Sequence, residues 1–353
     1  MLTADTLNGG DLAILSLGEL YKSRGYKRFK MSRFEEYDLY AQSKDFLAKE
    51  GIVTFTDPSG ELMALKPDVT MSIIKNSKEL DGVCEKLYYN ENVYRIRSGR
   101  LLEITQAGLE CMGDIDLYSS CEVISLALKS LERFGKRFAF DLSHTGIVFA
   151  VLNESSVSEQ ERSLLLPLIA SKNLHEISSL LGGRAKKLER LLSIDPRPGI
   201  GLCELRELSD SPELYAATGE LSDICGALGE FEGLRLDFSV ASELSYYNGV
   251  VFQGFVDGVP EKVLTGGRYD LLMRRMGKKG GALGFAINLS LLERMLDGDS
   301  PLDADILLVY GDSPAERVMA KVNELSGDGS RVMAASVMPK KGSFGRVVLL
   351  EGE

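Results

Sequence analysis

From about residue 147 to residue 230 this chain is patterned for helix, and on both sides of that block it is patterned for strand. Phe149, Val151 and Leu152, residues 164–169, then Leu174, Ile177, Leu180, Leu181, Leu188, Leu191 and Leu192 recur at the spacing that lines up one helix face. Gly182-Gly183 and Pro196-Arg197-Pro198-Gly199 cut the block into short helices, since proline cannot continue a helix and glycine ends one without strain. A helical block of that size between strands predicts an α+β fold in which a helical insertion separates two halves of one sheet.

The flanks supply the sheet. Residues 12–24 carry Leu17, Leu20, Tyr21 and Arg24 at helical spacing and stop at Gly25. Residues 52–55 and 62–65 are β-like runs joined by a turn-rich connector, which predicts a hairpin. Residues 87–95 and 101–111 predict a second, antiparallel hairpin with Ile96-Arg97-Ser98-Gly99-Arg100 as an arginine-rich tip. A helix over 119–134 follows, with Val123, Ala127, Leu131 and Phe134 on one face and Gly135 behind it. After the insertion, residues 234–240, 249–256 and 261–264 return to strand, and residues 281–287 open into a helix through Met295. Residues 297–301 form a linker. Beyond it, strands at 304–310, 331–337 and 346–350 and a helix at 313–325, capped by Ser313 with Pro314 in its first turn, make a small βαββ unit. The domain boundaries read from this are 1–297 for the core and 303–353 for the small unit.

Composition removes several function classes. A net charge of -11 over 353 residues gives no basic footprint for broad binding to nucleic-acid phosphates. Cys84, Cys111, Cys121, Cys203 and Cys225 are scattered with no C-x-x-C spacing, which predicts free thiols in a reducing compartment. His144 and His175 are the chain's two histidines, too few for an imidazole-rich metal site, so no metal and no cofactor are expected. Met1-Leu2-Thr3-Ala4-Asp5 has neither a basic nor an apolar signal, and no apolar run approaches the roughly 20 residues of a membrane span; the expectation is a cytoplasmic protein with no membrane partner.

The chemistry concentrates in Leu264-Thr265-Gly266-Gly267-Arg268-Tyr269-Asp270 and in Ser245-Tyr246-Tyr247-Asn248-Gly249 upstream. Glycine lets backbone approach a ligand closely, and tyrosine offers a flat apolar wall with a polar tip. The pair predicts a walled pocket for a small polar ligand.

Residues 12–295 resemble the histidyl-tRNA synthetase-like catalytic core of the class II aminoacyl-tRNA synthetases, which implies an antiparallel sheet flanked by helices. Residues 25–35 are similar to the first class motif, a dimer-interface helix leading into a strand, with Ser32 where the family has proline. Leu65-Lys66-Pro67-Asp68-Val69-Thr70 resembles the family's Leu-Arg-Pro-Glu-Gly-Thr, whose acid and threonine hold the amino group of histidine; the resemblance gives Asp68 and Thr70 that role. A carboxylate suits an ammonium group because the charge-assisted hydrogen bond is short and strong. Tyr94-Arg95, Gly99-Arg100 and Thr105-Gln106-Ala107-Gly108-Leu109-Glu110 resemble the second motif, implying that Gln106 and Glu110 reach bound histidine and that Arg95, with Arg100, contacts a phosphate or other anion. On a strand, positions four apart share a face, so Gln106 and Glu110 can enter one pocket.

The resemblance weakens where charge is needed for adenylation. Residues 242–249 correspond to the family's Arg-Gly-Leu-Asp-Tyr-Tyr-Thr-Gly, keeping Tyr246 and Tyr247 as pocket walls, joined by Tyr269, but placing Ser242 where the arginine steadies the reacting groups. In the third motif, begun at Gly284, the family's Glu-Arg falls on Ser290-Leu291, and leucine cannot hold a phosphate. The last 50 or so residues are similar to the start of the synthetase anticodon-binding domain, and Asp303, Asp305, Asp312, Glu316 and Asp328 make them a poor surface for tRNA. A kept amino-acid half beside a lost nucleotide half resembles the regulatory subunits of ATP phosphoribosyltransferase, a non-catalytic branch of the family. That resemblance implies a homodimer through the synthetase-like core, a short-form catalytic subunit as partner in a hetero-octamer, and histidine as feedback effector at the first step of histidine biosynthesis. A divergent enzyme forming an aminoacyl-adenylate for a non-tRNA acceptor is the alternative.

Overall fold

Helix α1 (Gly9–Lys22) opens the computed structural model, which describes residues 9–41, 51–78, 82–208, 211–240, 246–296 and 302–350. It buries Ala13, Leu17, Leu20 and Tyr21 as one stripe. The short strands β1 (Lys27–Arg28) and β2 (Phe34–Glu36) follow, then a single turn α2 (Asp38–Ala41). The hairpin foreseen at 52–65 is present as β3 (Thr54–Thr56) and β4 (Leu62–Leu65), and β2 pairs with the other edge of β4 to make a separate three-stranded sheet.

Helix α3 (Thr70–Asn76) leads to the spine of the molecule, the long hairpin β5 (Glu85–Arg97) and β6 (Arg100–Gly113). Its tip is narrower than the sequence suggested. Ser98 and Gly99, with φ of 51° and 75°, form a two-residue turn of the hand that matches strand twist, so Arg97 and Arg100 face each other as the last rung. Helix α4 (Leu117–Glu132) starts at Asp116, whose carboxylate accepts from Ser119 N at 2.7 Å, and its buried face includes Val123, Ala127 and Leu131.

Strand β7 (Phe138–His144) was not anticipated. It feeds the helical block, α5 (Thr145–Glu154), α6 (Glu159–Ala170), α7 (Leu174–Leu181), α8 (Lys186–Leu192), α9 (Pro198–Arg206) and α10 (Pro212–Leu228), which ends in β8 (Leu234–Leu236). Strands β7 and β8 pair in parallel, so the insertion is a crossover between neighbouring strands, a connection that no tight turn can make.

The sheet is completed by β9 (Val250–Val256), β10 (Leu264–Arg268), helix α11 (Asp270–Arg275) and β11 (Gly281–Asn288), in the order β1-β5-β6-β11-β10-β9-β7-β8. Pairing is antiparallel from β5 across to β7 and parallel at both edges, so the expected antiparallel sheet is mixed. Strand β10 lies later than the run 261–264: Thr265, Gly266, Gly267 and Arg268 are sheet residues. The helix expected through Met295 shrinks to a 3-10 turn at Leu289–Leu291 and a short α12 (Glu293–Leu296).

The chain divides into two compact units, Met1–Glu293 and Arg294–Glu353. In the second, β12 (Ala304–Val309), α13 (Ala315–Leu325), β13 (Val332–Ala335) and β14 (Phe344–Leu349) form a parallel sheet ordered β13-β12-β14, with Ile306, Leu307 and Leu308 of the central strand buried. Pro314, with extended backbone, is the residue before α13, and the Ser313 hydroxyl makes no cap bond, contrary to the sequence reading. The linker at 297–301 lies outside the described residues.

Candidate functional site

Asp68, Thr70, Gln106, Glu110, Tyr246, Tyr247 and Tyr269 all line one cavity of about 400 Å³ on a face of the large sheet. That size is typical of small-molecule sites. Strand alternation accounts for much of it: Gln106 and Glu110 leave β6 on the same face, while Leu109 and Cys111 enter the core on the other. Two glycines allow close packing, Gly284 in the cavity wall and Gly267 behind Tyr247. A Cβ on Gly284 would sit 1.7 Å from Glu110 Oε2 and 2.5 Å from the Leu109 carbonyl, and one on Gly267 would meet Tyr247 Cδ1 at 2.7 Å and the Val250 carbonyl at 2.8 Å. In the Gly-Gly-Arg-Tyr-Asp run Gly267 thus serves close packing against Tyr247, and Gly266, whose Cβ would meet Phe252 Cε2 at 2.5 Å, serves it on the other face.

Glu110, 2% exposed, is the buried carboxyl group of the cavity wall with the most side-chain partners. Thr70 Oγ1 donates to its Oε1 at 2.8 Å and the Tyr269 hydroxyl donates to its Oε2. Burial pushes its pKa up to about 8, although both hydroxyl bonds favour the ionised form. Asp68 is also raised, by burial first, with the Met71 N–H and the nearby Arg95 guanidinium pulling the other way. Its Oδ1 accepts from Met71 N at 2.9 Å, tying it to the first turn of α3. Tyr246 stands edge-on to Tyr247 at 4.7 Å between ring centres and tilts against Tyr269 at 5.8 Å. Burial raises the Tyr246 and Tyr269 phenols above their ordinary value, so both stay neutral and present a ring face with a hydroxyl tip.

The segment bearing Asp68 is stapled to β5 at three points. Tyr94 N donates to the Lys66 carbonyl at 2.8 Å, Arg95 Nε donates to the Pro67 carbonyl at 2.9 Å, and Lys66 Nζ reaches Glu91 Oε2 at 2.6 Å. Arg95 thus lines the cavity but spends one donor on the loop. Arg100, the other anion candidate, is exposed and is not among the cavity residues; Arg97, which shares the Arg95 face of β5, is. Arg268 is a structural anchor, its Nε 2.9 Å from Asp270 Oδ2, while Asp270 Oδ1 accepts from Ala282 N. Ser290 Oγ accepts from Thr105 N at 3.0 Å and fastens the middle of β6 to the 3-10 turn that carries Leu291. Ser242 lies outside the described residues.

Sequence reasoning missed Tyr89, Lys262 and Thr265 as lining residues and Lys66 as a fully buried cation. Tyr89 had a signal, since it shares parity with Arg95 on one strand; the other three depend on pairings between distant segments. Among the described residues no group of three or more His, Cys, Asp or Glu side chains could hold a metal ion, and no helix is long and apolar enough to cross a membrane.

A family model described as histidyl-tRNA synthetase matches residues 13–292. An ATP phosphoribosyltransferase regulatory subunit from Caldanaerobacter subterraneus subsp. tengcongensis is 30% identical over 331 residues, covering 89% of this chain and 86% of the relative. Among solved structures, an ATP phosphoribosyltransferase regulatory subunit/histidyl-tRNA synthetase from Bacillus halodurans superposes with a TM-score of 0.76 at 22% identity, over 98% of this chain and 94% of that one. A chain of the ATP phosphoribosyl transferase (HisG:HisZ) complex from Thermotoga maritima gives 0.64 at 22% identity, over 79% and 97%.

Proposed function

The chain belongs to the histidyl-tRNA synthetase family and, within it, to the ATP phosphoribosyltransferase regulatory subunits, and from that premise we propose that its core cavity senses free histidine without activating it. The protein is a non-catalytic subunit in histidine biosynthesis. The observation that carries the sensing role is the pairing of two buried carboxyl groups, Asp68 and Glu110, with three tyrosine rings in one cavity. Histidine offers an ammonium and an imidazole, the groups such walls recognise. The Ser290-Leu291 pair supports the second half of the reading: Ser290 holds β6, and leucine has no charge to offer a phosphate.

In this reading the partner is the short-form catalytic subunit, and the working assembly is a hetero-octamer in the cytoplasm. Two core units meet as a homodimer through the small sheet β2-β4-β3, where Phe34, Phe55 and Leu62 are exposed and the two phenyl rings stand 5.4 Å apart. Exposed apolar side chains gathered on one small sheet favour burial against a partner. Histidine then controls the catalytic subunit by favouring one arrangement of the assembly, with a coupling of about 1–3 kcal/mol.

Calorimetric titration of the full chain with L-histidine tests the sensor, with Glu110→Ala as the non-binding control. ATP–pyrophosphate exchange with histidine tests the rest. Exchange at ordinary synthetase rates overturns the non-activating half, and no heat of binding overturns the sensing half.

A further inference from the structure

The carboxyl-lined end of the cavity accounts for the cationic groups of an amino acid, and a free amino acid also carries a carboxylate that needs a cation. Three basic side chains line the cavity, Arg95, Arg97 and Lys262. Arg95 gives its Nε to the Pro67 carbonyl and lies close enough to lower Asp68. Arg97 is exposed on the last rung before the hairpin turn, six residues along β5 from Glu91, which pairs with Gln106. That places its backbone about 20 Å beyond the Gln106 rung.

Lys262 is placed differently. The next residue, Val263, gives its carbonyl to Asn288 N at 2.8 Å, and Asn288 pairs with Gln106. Lys262 therefore stands one residue past the Gln106 rung, level with Thr105, five residues along and two strands across from Glu110, a backbone distance of about 20 Å. A histidine reaches about 6 Å from ring to carboxylate, and the Glu110 and Lys262 side chains, each lining the cavity, take up the remainder together with their hydrogen bonds to the ligand. The side chain is half-buried in the cavity wall, where reduced solvation strengthens its attraction for an anion.

We infer that Lys262 receives the α-carboxylate of the ligand and sets the preference of this cavity for a zwitterionic amino acid over its decarboxylated amine. The inference rests on the histidine-sensing reading. The test is titration of the full chain and of Lys262→Met and Lys262→Arg with L-histidine and with histamine, taken to millimolar concentration. Lys262→Met weakens L-histidine by about 10- to 100-fold and leaves histamine within about twofold of the parent, while Lys262→Arg recovers most of the lost affinity. Equal effects on both ligands, no effect on either, or a loss that arginine does not rescue overturns the carboxylate assignment. A parent chain that binds no L-histidine is a different failure, since it removes the sensing reading itself.

Discussion

Glu110→Gln isolates the electrostatic cost of one buried carboxyl group in the cavity. Glu110 is buried, and its pKa rises from 4.5 to about 8. A carboxyl group whose folded pKa is raised binds its proton more tightly in the folded state, so folding is favoured below the unfolded pKa and loses that advantage as pH climbs through the folded one. The window runs from 4.5 to about 8. At about 1.4 kcal/mol per pH unit the full difference approaches 5 kcal/mol. Glutamine keeps the shape and an acceptor for one of the Thr70 and Tyr269 hydroxyls, but it has no charge to desolvate. Urea unfolding of parent and variant at intervals from pH 5 to pH 9 reads the difference. The variant starts within about 1 kcal/mol of the parent at pH 5 and becomes the more stable protein by several kcal/mol at pH 9. Parallel stability curves refute the reasoning, because they mean that Glu110 keeps an ordinary pKa in the folded cavity.

Three other changes probe its surroundings. Thr70→Val removes a hydroxyl that holds the Glu110 pKa down, so stability falls by about 1 kcal/mol and the midpoint of the parent's pH dependence moves to higher pH in the same unfolding series. Gly284→Ala forces a methyl group onto Glu110 Oε2 and the Leu109 carbonyl; a loss of about 3 kcal/mol and of histidine binding is expected by unfolding and calorimetry. Lys66→Met leaves Glu91, with a side chain 13% exposed, without its cation. The single change costs about 3 kcal/mol, and adding Glu91→Leu returns most of it, because removing both charges also removes the desolvation penalty.

Part of the cavity was readable from parity. Gln106 and Glu110 share a strand face whatever the register, whereas Asp68 and Thr70 were named through the resemblance to Leu-Arg-Pro-Glu-Gly-Thr, and the helix that begins at Thr70 was not foreseen. What escaped depends on who pairs with whom. The Gly266-Gly267 pair looks like a loop in a linear reading, because glycine weakens strands; only the closeness of Phe252, Tyr247 and the neighbouring carbonyls explains it inside β10. Lys66 reads as a solvated cation until Glu91, 25 residues on, is seen beneath it. Strand β7 lacked alternation because its residues from Phe140 to His144 are all buried, and a strand covered on both faces shows no period of two. The width of the hairpin tip turned on the backbone of Ser98, which no propensity for serine foretells.

The close glycine packing also limits how this cavity can change. Gly284 puts main chain, not side chain, in the cavity wall, with Gly267 packed behind Tyr247, and any larger residue at either collides with fixed neighbours. Point mutations at these glycines therefore have no gradual route for reshaping the wall. Change in the cavity has more room at Lys262, Thr265 or Arg97, which are not buried, than at Glu110 and Tyr269, which are buried and hydrogen-bonded to each other. Descendants of such a fold would vary at those open positions long before they varied around the buried pair.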